Sequence, residues 1–206
     1  MGSPKCLNSP DACLVADTSV IINLNASGFA RDIFEALPGK VVITDAVKTE
    51  LEEGRNYGWK DADMLEAHFA DGLIEVVELN ELAAQKFEQL VTGPAIMTLD
   101  DGEAATIAYS DVHKTVALID ERKANRICVE RFPALKVKCT VDLFANSCVE
   151  GFLGQDDLTL AVFNALYHGQ MRVFPHHIEW VVNLIGIERA AKCSSLPRAV
   201  RALETC

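Results

Sequence analysis

Two short apolar runs in this chain each end on an aspartate: Leu14-Val15-Ala16 on Asp17, and Val116-Ala117-Leu118-Ile119 on Asp120. A buried strand that stops at a carboxylate presents it at the strand's carboxyl end, where the ligands of parallel sheets gather. Two helical segments offer further acids. With about 100° between successive helical residues, the stripe of Val47 and Leu51 faces inward, and Glu50 lies about 60° from Val47. Glu52 and Glu53 point away from it, at about 140° and 120°. In the segment beginning at Asp100, the inward stripe is Ala104, Ile107 and Ala108, with Glu103 on its edge. Four carboxylates brought to one cleft would repel one another and take up protons. A hard divalent cation, Mg²⁺ or Mn²⁺, removes that difficulty. It accepts a few carboxylates, keeps waters in its octahedron and can activate one of them against a phosphodiester. Each acid also has a plainer reading. Asp17 and Asp120 could be helix caps, Glu103 half of a capping box, Glu50 an ion-paired inward acid, and Asp100 or Asp101 could substitute for Glu103.

The acids need elements to carry them. Asp17, Thr18 or Ser19 caps a helix after the first strand, and Ala30 to Leu37 is a helix stopped by Pro38-Gly39. Val41-Val42-Ile43 is a second strand, with Thr44 or Asp45 capping a helix through Glu53 that Gly54 closes. Leu65 to Ala70 reads as helix, Leu73 to Val77 as strand, and Glu81 to Val91 as a helix ended by Gly93-Pro94. Asp100 to Ser110 is helical, with Asp100 and Glu103 at capping-box spacing. After the strand that ends at Asp120 come a helix over 122–131, a strand over 135–140 and a helix over 141–150. This alternation predicts a three-layer α/β/α sandwich around a mainly parallel sheet. Beyond Gly154 the strand signals stop. Leu158 to Tyr167, Pro175 to Ile185 and Pro197 to Leu203 read as amphipathic helices. The division expected is an α/β domain over 12–150 and a helical extension over 155–206.

Composition narrows the class. Of 206 residues, 50% are apolar, 24% charged and 7% aromatic, which excludes disordered and fibrous chains. The seven cysteines are odd in number and contain no Cys-x-x-Cys pair, so disulfide frameworks and zinc ribbons lose support. Buried or incidental thiols in a reducing cytoplasm are the expectation. His176-His177 diverge by about 100° on a helix and do not make a metal pair by themselves. No apolar run reaches membrane-spanning length and no secretory leader is recognisable, so a cytoplasmic protein is expected. Met1 to Pro4 carry no weight in the fold. Net charge is −11, unevenly spread. Residues 41–111 hold 16 acids and 4 bases, whereas residues 121–138 hold 6 bases and 2 acids. An acidic body with one basic stretch contacts phosphate locally and does not bind duplex DNA indiscriminately. Arg122, Lys123 and Arg126 are the candidates for that contact, against the alternative of a solvated helix face.

Four pieces together resemble the PIN-domain nucleases: Val15-Ala16-Asp17-Thr18-Ser19-Val20-Ile21, Val47-Lys48-Thr49-Glu50-Leu51, Gly102-Glu103-Ala104-Ala105-Thr106-Ile107-Ala108, and Leu118-Ile119-Asp120-Glu121-Arg122-Lys123-Ala124-Asn125-Arg126. They stand in the family's order and cover roughly residues 12 to 150. The helical tail looks like that of bacterial PIN-like proteins with a C-terminal extension. The resemblance implies a metal-dependent endoribonuclease, often the toxin of a type II toxin–antitoxin pair. Asp17, Glu103 and Asp120 would then hold Mg²⁺ or Mn²⁺, Glu50 would coordinate or polarise the water, and Ser19 would position the phosphate. The partners it implies are an RNA substrate, an antitoxin protein and a second copy of the chain. The fourth motif continues with Glu121-Arg122 where the family has a second aspartate, which leaves one or two metals open. The alternative is a catalytically inactive PIN-like module that binds RNA or protein. The tail's apolar stripe (Leu158, Ala161, Val162, Ala165, Leu166) is expected as core, or else as a dimer or antitoxin surface.

Overall fold

Short runs of valine, leucine and isoleucine without polar alternation belong to strands covered on both faces. In the computed structural model, which describes residues 7–202, such runs make the three central strands of a five-stranded sheet, whose two edge strands are part polar and part exposed. Met1 to Pro4, Cys6, Cys206 and the end of the helix expected to reach Leu203 lie outside the described residues. The strands are β1 (Cys13–Ala16), β2 (Lys40–Thr44), β3 (Ile74–Val77), β4 (Val116–Leu118) and β5 (Lys136–Lys138). Their order is β3-β2-β1-β4-β5, and every neighbouring pair is parallel. Leu14 pairs with Val41 on one side and Val116 on the other, and Ala16 pairs with Leu118. The chain winds outward from β1 through β2 to β3, then returns to the other side of β1 for β4 and β5. The switch point of the sheet therefore lies between β1 and β4, where a crevice opens at the carboxyl ends.

The helices are α1 (Thr18–Ser27), α2 (Ala30–Ala36), α3 (Asp45–Gly54), α4 (Asp61–Ala70), α5 (Glu81–Val91) and α6 (Asp101–His113). They continue as α7 (Arg122–Arg131), α8 (Thr140–Phe144), α9 (Ser147–Tyr167), α10 (Ile178–Ile185), α11 (Ile187–Lys192) and α12 (Arg198–Arg201). Alternate residues of β4 point to opposite faces, as the pleat requires. Val116 and Leu118 join one core with α1, α2, α3 and α9. Ala117 and Ile119 join the other, with Leu90 of α5, Ile107 of α6 and Ile127 of α7. The sandwich thus has three layers, as expected.

Several boundaries differ from the sequence reading. The helix expected over 141–150 is two helices, because the Asn146 side chain caps α9 by accepting from the Cys148 N–H at 2.9 Å. Gly154, at φ 72° and ψ 173°, then kinks α9, a conformation that strains any residue with a β-carbon. Helix α4 begins at Asp61 rather than Leu65, and α11 was not anticipated. Leu158, Ala161, Val162, Ala165 and Leu166 are buried in the same core as Leu14 and Ile21, so this stripe is covered by α1 and α2. No described helix is long and apolar enough to cross a membrane.

Candidate active site

Asp17 follows β1 and Asp120 stands two residues past β4, so the two flank the switch point. The Asp17 N–H donates to the Leu118 carbonyl at 3.1 Å, which ties the two strand ends together. Asp17 is the N-cap of α1 by position, yet its side chain makes no capping hydrogen bond. Its Oδ2 accepts instead from the Ser19 hydroxyl at 2.8 Å. Asp120 is held on both oxygens. Oδ1 accepts from the Thr140 N–H at 2.8 Å; Oδ2 accepts from the Thr140 hydroxyl at 2.5 Å and from Asn23 Nδ2 at 2.7 Å. Sequence reasoning missed Thr140 and Asn23, since nothing in their spacing announces a contact with Asp120.

Glu50 points inward from α3, as its helical angle predicts. Its Oε1 accepts from the Gly102 N–H at 2.7 Å, and its Oε2 from the Thr18 hydroxyl. One carboxylate thereby fastens the first turns of α1 and α6 to α3. Gly102 is required for this, because a β-carbon there would stand 2.5 Å from Glu50 Oε2 and 2.8 Å from Thr18 Oγ1. Glu103, the next residue, is buried at the start of α6. It receives a hydrogen bond from the Asp100 N–H, half of the expected capping box, while Asp100 makes no side-chain cap in return.

Burial and mutual repulsion govern the charges. Asp17 is 3% exposed, and burial raises its pKa to about 6, with Glu50 and Asp120 adding to the rise against the Ser19 and Thr18 hydrogen bonds. Glu103 is 9% exposed and pushed up to about 8, by burial first and then by Asp17, Asp100 and Glu121. Burial also raises Asp120, against the hydrogen bonds from Thr140 and Asn23. Among the described residues no lysine, arginine or histidine forms an ion pair with Asp17, Glu50, Glu103 or Asp120. Clustered, buried carboxylates without a cationic partner have the donor chemistry that suits a hard divalent ion. The one trio of described ligand atoms that all lie within 4.8 Å of one another is elsewhere, at Cys139, Asp142 and His177. Oxygens bound directly to one Mg²⁺ at about 2.0–2.1 Å lie within about 4.2 Å of one another, so as they stand no three of the acids contact one ion directly; one or two would bind it and the others act through the waters it retains.

A cavity of about 310 Å³ opens on Ser19, Asn23, Asp120, Glu121, Gln170 and Arg172. A second, of about 340 Å³, shares Gln170 and Arg172 and continues to Arg122, Ser194 and Ser195. Arg172 pairs with Glu121 between them. The tail therefore forms one wall of the crevice, and Arg172 is a basic residue there that lies outside the basic stretch 121–138. The three expected phosphate contacts separate. Arg122 faces the second cavity, whereas Lys123 Nζ donates to the Ala95 carbonyl at 2.7 Å and Arg126 Nη2 to the Ile96 carbonyl at 3.2 Å. Lys123 and Arg126 hold down the loop before α6.

A parallel α/β/α sandwich with carboxylates at its switch point defines a class of proteins that bind ligands at the strand ends. A family model described as DUF3368: PIN domain matches residues 13–186. The chain belongs to the PIN-domain family. The match begins at β1 and continues through α10, so it includes the segment after α9 that lines the crevice with Gln170 and Arg172. No curated protein matches the chain.

Proposed function

We propose that this protein is a Mg²⁺- or Mn²⁺-dependent endoribonuclease that hydrolyses RNA phosphodiester bonds in the cytoplasm. The observation that carries the reading is the set of buried acids at the β1/β4 switch point, two of them raised to about 6 and about 8 and none with a cationic partner among the described residues. Asp17, Glu103 and Asp120 would hold the ion, which supplies a Lewis acid and a water of lowered pKa when bound. Ser19 lines the cavity beside Asp120; its hydroxyl, which donates to Asp17 in the metal-free protein, would turn to a phosphate oxygen once the ion engages Asp17. Glu50 acts through Thr18 and Gly102 as a positioning residue, since both its oxygens are already engaged. Arg122 offers positive charge along the second cavity, and Arg172, at the residues the two cavities share, would exchange Glu121 for a flanking phosphate. The direct test is cleavage of a labelled single-stranded RNA by purified protein in Mn²⁺ and in EDTA. Metal-independent cleavage, or none with either ion across varied sequences, would remove the reading.

Gly102→Ala should lower kcat by about 10²-fold, the scale expected when a catalytic group is misplaced by about 1 Å. The added β-carbon meets the far end of Glu50, which can swing away, so the melting temperature should change little. A comparison of kcat and melting temperature for the one variant decides it: unchanged kcat would show that Glu50 need not be fixed.

Arg122→Ala combined with Arg172→Ala should weaken RNA binding and flatten its dependence on salt. For each phosphate of a single strand that the protein no longer neutralises, the slope of log K against log salt falls by about 0.7. Lys123→Ala is the control, because its ammonium is committed to the Ala95 carbonyl. Binding measured from low to physiological salt checks both, and an unchanged slope in the double variant would place the RNA elsewhere.

A further inference from the structure

Beneath Asp120, at the edge of the sheet, three ligand-type side chains from two distant segments converge. Cys139 precedes α8, Asp142 lies in its first turn, and His177 comes from the short 3-10 turn Pro175–His177 between α9 and α10. Their ligand atoms all lie within 4.8 Å of one another. Cys139 Sγ is 3.3 Å from Asp142 Oδ2, and His177 Nε2 is 3.7 Å from Asp142 Oδ1. Zinc bound at about 2.3 Å to sulfur and about 2.0–2.1 Å to nitrogen and oxygen sets tetrahedral edges of about 3.4–3.6 Å between ligand atoms. The two observed contacts reach different oxygens of the one carboxylate, and with one ligand atom from each residue all three lie within 4.8 Å, so a small rotation of the Asp142 carboxylate would bring them to those edges.

A capping box accounts for part of the cluster. The Cys139 N–H donates to Asp142 Oδ2 at 2.9 Å, and the thiol adds a weak donor to the same oxygen. His177 has no place in that motif. Its Nε2 is a buried nitrogen that faces the Asp142 carboxylate at 3.7 Å, a pairing that holds the Asp142 pKa down but is longer than a normal hydrogen bond. A buried polar atom left unsatisfied costs about 1–3 kcal/mol, and such atoms call for an explanation. The ring is aimed at a point shared with a carboxylate and a sulfur.

We propose that Cys139, Asp142 and His177 form a zinc-type site, separate from the four acids, that takes a borderline-soft divalent cation. Sulfur, imidazole and one carboxylate select Zn²⁺ over Mg²⁺ or Mn²⁺, which prefer oxygen throughout. Binding converts the Cys139 thiol to a thiolate and releases its proton to solvent, while Lys138, 2.9 Å from Asp142 Oδ1, turns outward. Three protein ligands leave the fourth position of the tetrahedron to water, which reaches the site through the partly exposed edges of Asp142 and His177. The ion would staple the segment joining two tail helices to α8. It would also stiffen the segment in which Thr140, between Cys139 and Asp142, donates twice to Asp120.

Cobalt replaces zinc as the probe, because thiolate ligation gives Co²⁺ an intense charge-transfer absorption that oxygen ligation lacks. Titration of untagged, reduced, metal-stripped protein with Co²⁺ should develop this band, saturating at one equivalent and bleaching when Zn²⁺ is added. Cys139→Ser should lose the band, His177→Gln should weaken or lose it, and Asp17→Asn should keep it. Zn²⁺ should raise the melting temperature of the wild type and leave Cys139→Ser unmoved, as expected for a ligand that binds only the folded state. Absence of the band in wild-type protein, or its full persistence in Cys139→Ser, would overturn the proposal. The wild-type titration decides even if a variant fails to fold.

Discussion

Asp17→Asn should keep the fold and lose RNA cleavage by far more than the ~10–100-fold that follows removal of an outer-shell partner from a metal site. The substitution preserves shape, and an asparagine oxygen can still accept the Ser19 hydroxyl now seen at 2.8 Å. What it removes is the negative charge at the end of β1, the central strand, beside the switch point. Because Asp17 makes no side-chain cap to α1, no helix-capping energy is lost with it. Glu52→Gln is the matched control: Glu52 sits two residues beyond Glu50 but points outward, 3.6 Å from Lys48. Single-turnover cleavage by the two variants, with circular dichroism to verify folding, makes the comparison. An Asp17→Asn protein that cleaves at the wild-type rate would eliminate the metal site at this position.

Stability should carry the same information without any RNA. In metal-free protein the folded pKa of Asp17 is about 6 and that of Glu103 about 8, both above their ordinary values of 3.8 and 4.5. The folded state therefore holds more protons than the unfolded state between about pH 4 and pH 8. Stability is greatest at the acidic end of that window and falls as pH rises through it. Every tenfold difference in proton affinity between the folded and unfolded states is worth roughly 1.4 kcal/mol at most. The melting temperature in EDTA should decline from pH 5 to pH 8.5. Mn²⁺ should reverse the decline at pH 8, by about 2.7 kcal/mol at a hundredfold excess over Kd. For a chain of this length that is roughly 5–10 °C. Asp17→Asn should melt above wild type in EDTA at pH 8 and lose the advantage at pH 5, where the wild-type carboxyl is protonated. It should also respond little to Mn²⁺. Sodium chloride separates this from an acidic surface, since exposed charges are screened by salt and buried ones much less. A melting temperature in EDTA that does not vary from pH 5 to pH 8.5 would remove the buried acid cluster as a physical unit.

Much of this was legible in the chain. Apolar runs too short for helices and without polar alternation specify strands buried on both faces, and the helical segments between them require parallel pairing. The inward direction of Glu50 followed from 3.6 residues per turn and the positions of Val47 and Leu51 alone. Those are local properties, in which a residue's place is set by its neighbours within a turn or two. The family resemblance rested on the same local pieces, and the family match covers them.

What the tertiary structure decided is everything that depends on residues far apart meeting. The order β3-β2-β1-β4-β5 sets Asp17 beside Asp120, and no local pattern encodes which strands become neighbours. Glu50 became a clamp because Gly102, 52 residues away, brings its N–H to 2.7 Å. Thr140 and Asn23 became the partners of Asp120 by the same convergence, across 20 and 97 residues. Lys123 and Arg126 looked free in the sequence, and the loop carbonyls that occupy them came from about thirty residues upstream. The cysteine spacing gave no sign of a metal ligand and His176-His177 were discounted as a pair, because Cys139, Asp142 and His177 belong to segments that meet only when the tail packs on the sheet. Local spacing determines which way a side chain faces on its own element; which distant group it faces is determined by long-range packing of the core.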